Sequence, residues 1–310
     1  EATGDREASI EVFPFQGKEK RHQTVADVNG DGLLDVIATN TDDNTIVVYP
    51  QTPSEGLSTG VPSPTLSGVD GIAVCDIDQD GTEDLFVLSE DEGVVGRSPL
   101  SVSNIPFPKP MPISTGNTPV SLDAVKLGDT WKVAVVSKQK REYSLDLIDA
   151  AGDIETVGLG SLSRGPNEIV AFDADQDGKV DLLLLTRDKP MMMLQATDEG
   201  FTLLEDTDMG QFGLVREASS DNTEILDIDG DNQPELLIAD DNVIRAVRYE
   251  PETTSNISPG WQVVEQVNLL DGESNLVSLT VSEKRVVVAD SENERLVLIE
   301  QDENGKWSEG

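Results

Sequence analysis

Short apolar runs recur along this chain and are separated by polar residues that favour turns. Four such runs are VIA at 36–38, LFVL at 85–88, LLLL at 182–185 and LLIA at 236–239. Apolar residues at every third or fourth position, the spacing of an amphipathic helix, are absent almost everywhere. Short runs bounded by Gly, Asn, Asp and Ser are typical of strands. The pattern therefore predicts an all-β chain.

The strands come in sets of four. After each of the runs above, a second strand follows a turn, as in TIVVY at 45–49. A third begins near an aromatic residue, as in FTLL at 201–204 and WQVV at 261–264, and a fourth leads into the next acidic loop. Four short strands in a unit of roughly 50 residues are typical of a β-propeller blade.

An acidic motif of nine residues recurs in four of the repeat units. It reads DVNGDGLLD at 27–35, DIDQDGTED at 76–84, DADQDGKVD at 173–181 and DIDGDNQPE at 227–235. The starts at 27, 76, 173 and 227 lie 49, 97 and 54 residues apart, and 97 is close to twice 49. A unit near Asp123 has therefore lost most of its loop, and a sixth unit near Leu279 has a shortened one.

Six units give one propeller domain over residues 1–310. The approximate repeats are 9–58, 59–107, 108–157, 158–206, 207–260 and 261–310. We expect an N-terminal strand at 9–13 to complete the last blade, since closure removes exposed sheet edges. A seven-bladed ring, or a segment of a larger propeller, is the alternative.

The acidic loops have the chemistry of a calcium site. Carboxylates at positions 1, 3, 5 and 9, with a tight turn at position 6, can direct their oxygens at one hard cation. An EF-hand is excluded because position 12 is apolar in every copy: Ala38, Val87, Leu184 and Ile238. The predicted ligands are Asp27, Asn29, Asp31, Asp35, Asp76, Asp78, Asp80, Asp84, Asp173, Asp175, Asp177, Asp181, Asp227, Asp229, Asp231 and Glu235.

These units resemble VCBS or FG-GAP-like repeats, the calcium-binding blades also found in the propeller of integrin α subunits. The resemblance implies up to four Ca²⁺ ions and a non-enzymatic scaffold for adhesion that binds a protein or glycan, as a free protein or as a subunit or fragment of a larger surface assembly. The loop at 227–235 departs from the pattern at Asn232 and Glu235, and we expect its site to be weaker or differently shaped. The third and sixth units are expected to bind no metal.

The charge and composition argue against functions at nucleic acids and membranes. The chain has 60 acidic and 22 basic residues and a net charge of -38. Such a charge repels nucleic acid and anionic lipid, and no apolar stretch approaches the roughly 20 residues of a membrane span. The lone Cys75 lies in an apolar run and is expected to be a buried, inert thiol.

Calcium binding also predicts a location. Cytosolic calcium is too low to fill sites of moderate affinity, so we expect a secreted, cell-surface or periplasmic protein. The opening residues EATGD lack the basic start and apolar core of a signal peptide. The expectation is that such a peptide has been removed or that the chain is a piece of something longer.

The alternative function is an extracellular carbohydrate-active enzyme of the polysaccharide lyase type. Its general base would be His22, the chain's one histidine, paired with a tyrosine such as Tyr49. Other candidates have simpler interpretations. Aromatic residues at the same place in successive repeats (Phe201, Trp261, Trp307) indicate packing between blades, and the run 191–193 of three Met is expected in the core. Asn256 heads a weak glycosylation triplet.

Overall fold

A computed structural model describes residues 22–53, 56–251, 259–269, 272–282, 285–302 and 305–309. They form six four-stranded antiparallel sheets arranged as the blades of a β-propeller ring. The only helical element among them is a 3₁₀ turn at Phe212–Leu214. Among the described residues, no helix has the length and apolar character needed to cross a bilayer.

The strands run in chain order through successive blades. Blade 1 contains β1 (Gln23–Ala26), β2 (Asp35–Asn40), β3 (Thr45–Tyr49) and β6 (Val61–Pro64), with a small ribbon of β4 (Gln51–Thr52) and β5 (Gly56–Leu57) beside it. Blade 2 contains β7 (Val69–Cys75), β8 (Asp84–Ser89), β9 (Val94–Pro99) and β10 (Lys109–Pro110). Blade 3 contains β11 (Thr118–Leu127), β12 (Thr130–Gln139), β13 (Glu142–Ile148) and β14 (Ile154–Ser161).

The second half of the ring repeats this arrangement. Blade 4 contains β15 (Glu168–Phe172), β16 (Asp181–Leu185), β17 (Met192–Thr197) and β18 (Gly200–Leu204). Blade 5 contains β19 (Thr223–Leu226), β20 (Glu235–Asp240), β21 (Val243–Glu250) and β22 (Gly260–Asn268). Blade 6 contains β23 (Leu276–Ser282), β24 (Arg285–Asp290), β25 (Arg295–Gln301) and β26 (Trp307–Glu309).

The predicted all-β class and the six four-stranded blades are confirmed. The sheets are offset by one strand from the sequence repeats, because the strand before each acidic loop pairs with the strand after it, as β1 pairs with β2. Each loop is therefore the connection between the first two strands of one blade. In blade 6 the described fourth strand is β26, which pairs with β25. The predicted strand at 9–13 lies outside the described residues, as does Asn256.

The second strand of each blade is the most buried, which explains its continuous apolar sequence. In β8 all six residues are buried, and in β16 all five are. Side chains on the two faces of these strands pack in separate apolar clusters between neighbouring blades, such as the one around Phe86 and Val135 between blades 2 and 3. The cores of this protein thus lie between sheets.

Most residues expected to fill cores are buried, whereas Phe201 is half-buried against the cluster between blades 3 and 4. Trp261 is fully buried between blades 4 and 5, with its ring centroid 5.5 Å from that of Tyr249 in an edge-to-face contact. Trp307 is buried between blades 5 and 6, and its Nε1 donates a hydrogen bond to the Ile228 carbonyl at 2.8 Å. All three Met of the run 191–193 are buried. Cys75 is buried as well, and burial raises the pKa of its thiol to about 12.

We predict that Trp261→Ala lowers the free energy of unfolding by about 3–5 kcal/mol, because it leaves a large cavity between two blades. Phe107→Ala is the control, since the Phe107 side chain is 58% exposed, and its loss should stay below about 1 kcal/mol. Denaturant unfolding at a fixed calcium concentration measures both. Similar losses in the two variants would contradict this packing.

Candidate metal centres and the central cavity

Four acidic loops connect first and second strands. Loop 1 (27–35) lies in blade 1, loop 2 (76–84) in blade 2, loop 3 (173–181) in blade 4 and loop 4 (227–235) in blade 5. Each loop begins directly after the first strand and ends on the residue that opens the second. Position 9 therefore belongs to a buried strand, whereas positions 3 and 5 project from the turn.

The four loops share one backbone shape. The amide of position 6 donates to Oδ2 of the position 1 aspartate at 2.8–2.9 Å in all four. Position 6 has a left-handed φ, 87° at Gly81 and 70° at Asn232. Asparagine tolerates that conformation better than most side chains. Loop 4 therefore has the same backbone shape as the other loops. It differs from them at position 9, where Glu235 replaces aspartate.

The carboxylate at position 9 is buried in every loop. Asp35, Asp181 and Glu235 are fully buried, and Asp84 is 4% exposed. In loops 1, 3 and 4 the amide of position 2 donates to this carboxylate, at 3.0–3.2 Å. A second amide reaches the same group in two loops: Gln51 N–H bonds Asp35 at 2.7 Å, and Ala196 N–H bonds Asp181 at 2.7 Å.

Glu235 is incompletely satisfied. Its Oε2 accepts the Ile228 amide, but its buried Oε1 has no hydrogen-bond partner among the described residues. Burial, opposed by that amide and reinforced by the neighbouring aspartates, raises the pKa of Glu235 to about 7. Burial likewise raises the pKa of Asp181 to about 7. Neither carboxyl has a positively charged partner within the part of the chain that the structure describes.

The folded chain brings three sets of carboxylates together, with ligand atoms within 4.8 Å of one another. The sets are Asp76, Asp78 and Asp80; Asp173, Asp175 and Asp181; and Asp227, Asp229 and Glu235. In loops 3 and 4 the set includes the buried position 9. In loop 1, Asn29 Nδ2 donates to Asp31 Oδ2 at 3.0 Å, and both Asp27 oxygens accept backbone amides.

Position 5 also shapes the turn. Its Oδ1 accepts the amide of position 7 at 2.8 Å in every loop, from Leu33, Thr82, Lys179 and Gln233 to Asp31, Asp80, Asp177 and Asp231. Its second oxygen accepts from a side chain in two loops, from Asn29 Nδ2 in loop 1 and from Lys179 Nζ at 3.2 Å in loop 3. Donor sets made only of oxygen suit a hard cation such as calcium. The unpartnered Oε1 of Glu235 fits such an ion.

Blade 3 has replaced its loop by a hairpin. Its first strand ends at Leu127 and its second begins at Thr130, so only Gly128 and Asp129 form the turn. A turn of two residues cannot present four converging carboxylates, and the absence of metal from this unit stays a prediction. The corresponding turn of blade 6, at 283–284, lies outside the described residues.

Loop 2 differs from the others. Its position 2 amide, on Ile77, bonds the Cys75 carbonyl at 3.1 Å instead of the position 9 carboxylate. Asp84 is contacted by Arg97, whose Nη2 donates to Asp84 Oδ2 at 2.6 Å and also to Asp78 Oδ2. Burial raises the pKa of the Asp84 carboxyl, and Arg97 opposes that rise.

A cavity of about 1320 Å³ follows the axis of the ring. Its walls come from the first strands and adjoining turns of blades 1 to 5, and they carry six carboxylates against two Arg, one Lys and His22. Much of the positive charge is already paired, since Lys138 contacts Glu90 and Arg164 lies 3.7 Å from Asp188. The cavity is acidic.

Three carboxylates from successive first strands, Asp123, Glu168 and Glu224, line a second cavity that adjoins the first. Burial raises the pKa of Glu168 to about 7, with repulsion from Asp123 and Glu224 adding to it. Burial also raises the pKa of Asp123 to about 6, although the amides of Ala124 and Ile169 oppose the shift. Glu168 and Glu224 could not be grouped from the sequence, because only the packing of neighbouring blades brings them together.

The two residues of the lyase alternative are not brought together. The His22 carbonyl accepts the Thr39 amide, beyond the start of β1, whereas Tyr49 pairs with Val36 near the other end of β2. Three residues along a strand separate the two levels by about 10 Å, and β2 lies between the strands. Tyr49 is therefore not the partner of His22.

Comparison with known proteins supports the repeat and the fold. Residues 27–87, which include loops 1 and 2, match the family model described as an FG-GAP-like repeat. A search of curated proteins finds no significant match.

Solved structures resemble the chain across its length at low identity. A protein from Bacteroides fragilis, whose name carries a provisional assignment as a 6-phosphogluconolactonase, has a TM-score of 0.51 at 10% identity over 93% of this chain and 82% of that one. A functionally unknown protein from Desulfotomaculum acetoxidans has a TM-score of 0.49 at 13% identity, covering 92% and 83%. A protein from Lactobacillus plantarum has a TM-score of 0.46 at 12% identity, covering 94% and 82%. At 10% identity, the likeness to the Bacteroides protein is one of fold.

We predict that Glu168→Gln flattens the pH dependence of stability. The pKa of Glu168 rises from an ordinary 4.5 to about 7 on folding, so the folded state binds more protons and loses stability as pH rises between these values. The variant should be more stable than the wild type at pH 8, by on the order of 1–2 kcal/mol for a partly exposed group.

Denaturant unfolding from pH 4.5 to 8 tests this. Glu199→Gln is the control, because Glu199 is exposed at the β17–β18 turn. Parallel pH profiles for the wild type and the Glu168 variant would show that the cavity carboxyl ionises normally.

Proposed function

We propose that this chain is a calcium-braced, non-enzymatic propeller that works outside the cytoplasm as a scaffold for binding a protein or a glycan. The observation that carries the calcium assignment is the set of buried position 9 carboxylates, above all Glu235 with its unpartnered Oε1. A buried charge without a partner is costly, and a divalent cation bound by the loop would offset it.

Calcium fits the residues better than the softer metals. The loops offer carboxylate, amide and carbonyl oxygens on flexible turns, which suits the six to eight oxygen ligands of calcium. Loops 3 and 4 fit best, because in both the buried carboxylate lies within 4.8 Å of two further aspartates. When bound, the ion supplies positive charge that ties positions 1, 3 and 9 to the second strand of the blade.

Such binding would affect the whole ring. Each ion offsets two of the 38 net negative charges, and self-repulsion of that size weakens a compact state. At calcium one hundred times above the dissociation constant, each filled loop adds about 2.7 kcal/mol to stability. Calcium reaches millimolar levels outside the cytoplasm, which supports an extracellular, surface or periplasmic setting.

The binding role follows from the repeat and the surface. FG-GAP-like repeats occur in adhesion propellers, and a rigid ring presents its connecting turns as one continuous face. The strongly negative surface opposes nucleic acid and anionic lipid, leaving proteins and glycans as the proposed ligands. A place in a larger surface assembly is compatible with this role.

The lyase alternative has weaker support. Lyase substrates of the uronate class are polyanions, and six carboxylates in the walls of the central cavity would repel them. His22 lines that cavity without Tyr49 beside it. Tyr143 lines the cavity as well, so the acidic charge of the walls, and not a missing tyrosine, supports the scaffold.

We predict that removing calcium with a chelator lowers the melting temperature and that adding calcium restores it. Asp173→Asn should reduce the calcium-dependent part by one loop, about 2.7 kcal/mol at saturation, because both oxygens of Asp173 organise loop 3. Calorimetry with and without calcium measures the difference.

The matched control is Asp129→Asn, which makes the same change in the hairpin that replaces the loop in blade 3. It should keep the full response to calcium. A melting temperature that is the same with calcium and with chelator, in the wild type and in both variants, would disprove the calcium assignment.

A second prediction separates scaffold from enzyme. Incubation with anionic polysaccharides should produce no ultraviolet absorbance from unsaturated products, while a glycan or protein array should show ligands retained in calcium and released by chelator. Absorbance that appears with the wild type and is lost in His22→Ala would disprove the scaffold function and support the lyase.

A further inference from the structure

Arg97 occupies an unusual place for a charged residue. It lies on β9 opposite Phe86, two residues beyond the position 9 carboxylate of its blade. The same register position in the other three loop-bearing blades is apolar and fully buried. Those residues are Val48 opposite Ile37, Met193 opposite Leu183 and Ala246 opposite Leu237.

The side chain turns from this core position toward loop 2. Its Nη2 contacts the carboxylates of Asp78 at position 3 and Asp84 at position 9. These are two of the four positions from which a loop would hold a metal. The Arg97 side chain is 27% exposed and the Asp84 side chain is 6% exposed, so the pair is shielded from water on the Asp84 side.

Loop 2 also lacks the hydrogen bond from the position 2 amide that holds the position 9 carboxylate in the other three loops. In the other loops the position 2 amide holds this carboxylate, whereas the Ile77 amide bonds the Cys75 carbonyl. The Asp84 oxygens are therefore oriented by Arg97 instead of by the loop backbone. Asp84 is accordingly absent from the carboxylate set of loop 2, which contains Asp76, Asp78 and Asp80.

We propose that Arg97 is a built-in cation that replaces the metal in loop 2, so that this loop is locked without calcium while loops 1, 3 and 4 depend on it. A guanidinium bonded to two carboxylates offsets one of their two negative charges permanently and competes with a divalent ion at the same oxygens. The inference rests on the proposed calcium function of the other loops. It assigns to Arg97 the role of excluding metal from one of four similar sequences.

The test is the number of calcium ions bound to the intact protein, counted by native mass spectrometry and titration calorimetry with calcium alone. We expect three ions for the wild type and four for Arg97→Gln, which frees Asp78 and Asp84. Arg285→Gln is the matched control, because Arg285 pairs with Glu300 in blade 6, outside the four loops. It should bind three.

A second measurement compares the loops within the wild type before it turns to the variant. Hydrogen exchange resolved by peptide should show residues 76–84 of the wild type equally protected with calcium and with chelator, while residues 173–181 and 227–235 lose protection in chelator. In Arg97→Gln, protection at 76–84 should become dependent on calcium.

Two further variants test the number of bound calcium ions. Asp76→Asn should leave it at three, and Asp173→Asn should lower it to two.

The outcomes distinguish the two proposals. Four ions in the wild type, with calcium-dependent protection at 76–84, would overturn the role of Arg97 and leave the calcium function standing. Three ions in both the wild type and Arg97→Gln would also overturn it. No bound calcium in the wild type would instead refute the proposed function itself.

Discussion

A buried acidic side chain at the start of the second strand is the constraint on which each loop-bearing blade depends. That strand is enclosed by apolar neighbours on both faces, and its first residue is nevertheless Asp or Glu in all four loops. A carboxylate in such a place must be bonded or neutralised. The turn before it, with its repeated aspartates and left-handed position 6, is the local structure that meets this requirement.

The four blades satisfy the same requirement to different degrees. Asp35 and Asp181 each receive two backbone amides. Glu235, one methylene longer, receives one amide and leaves an oxygen unpartnered. Asp84 receives the guanidinium of Arg97. A repeat that binds a cation can therefore diverge by strengthening its backbone bonds or by acquiring a cation of its own, with little change in the fold.

Local patterns were enough to predict the strands and the loops, because period, turn residues and loop phrase are all encoded within ten or so residues. Thr45–Tyr49 is predicted to the residue. The pairing of β1 with β2 across the loop was not predicted, since a repeat unit does not show where a sheet begins. Arg97 was missed because its importance depends on which carboxylates a long side chain reaches across two strands. Glu168 and Glu224 were missed because only the packing of blade 4 against blade 5 places them around one cavity.

The first strands lie between two acidic regions of the molecule, the axial cavity and the metal-binding loops proposed above. In blades 1 and 4 these strands begin beside His22 and Asn167, which line the axial cavity, and they end at acidic loops. A ligand at the cavity mouth and a cation in a loop would thus lie at opposite ends of the same short strands. Metal binding could then influence recognition only through the rigidity of the blade, since the separation exceeds the screening distance of roughly 8 Å at physiological salt. Stiffness, and not direct contact, is the means by which the proposed calcium would act on a ligand.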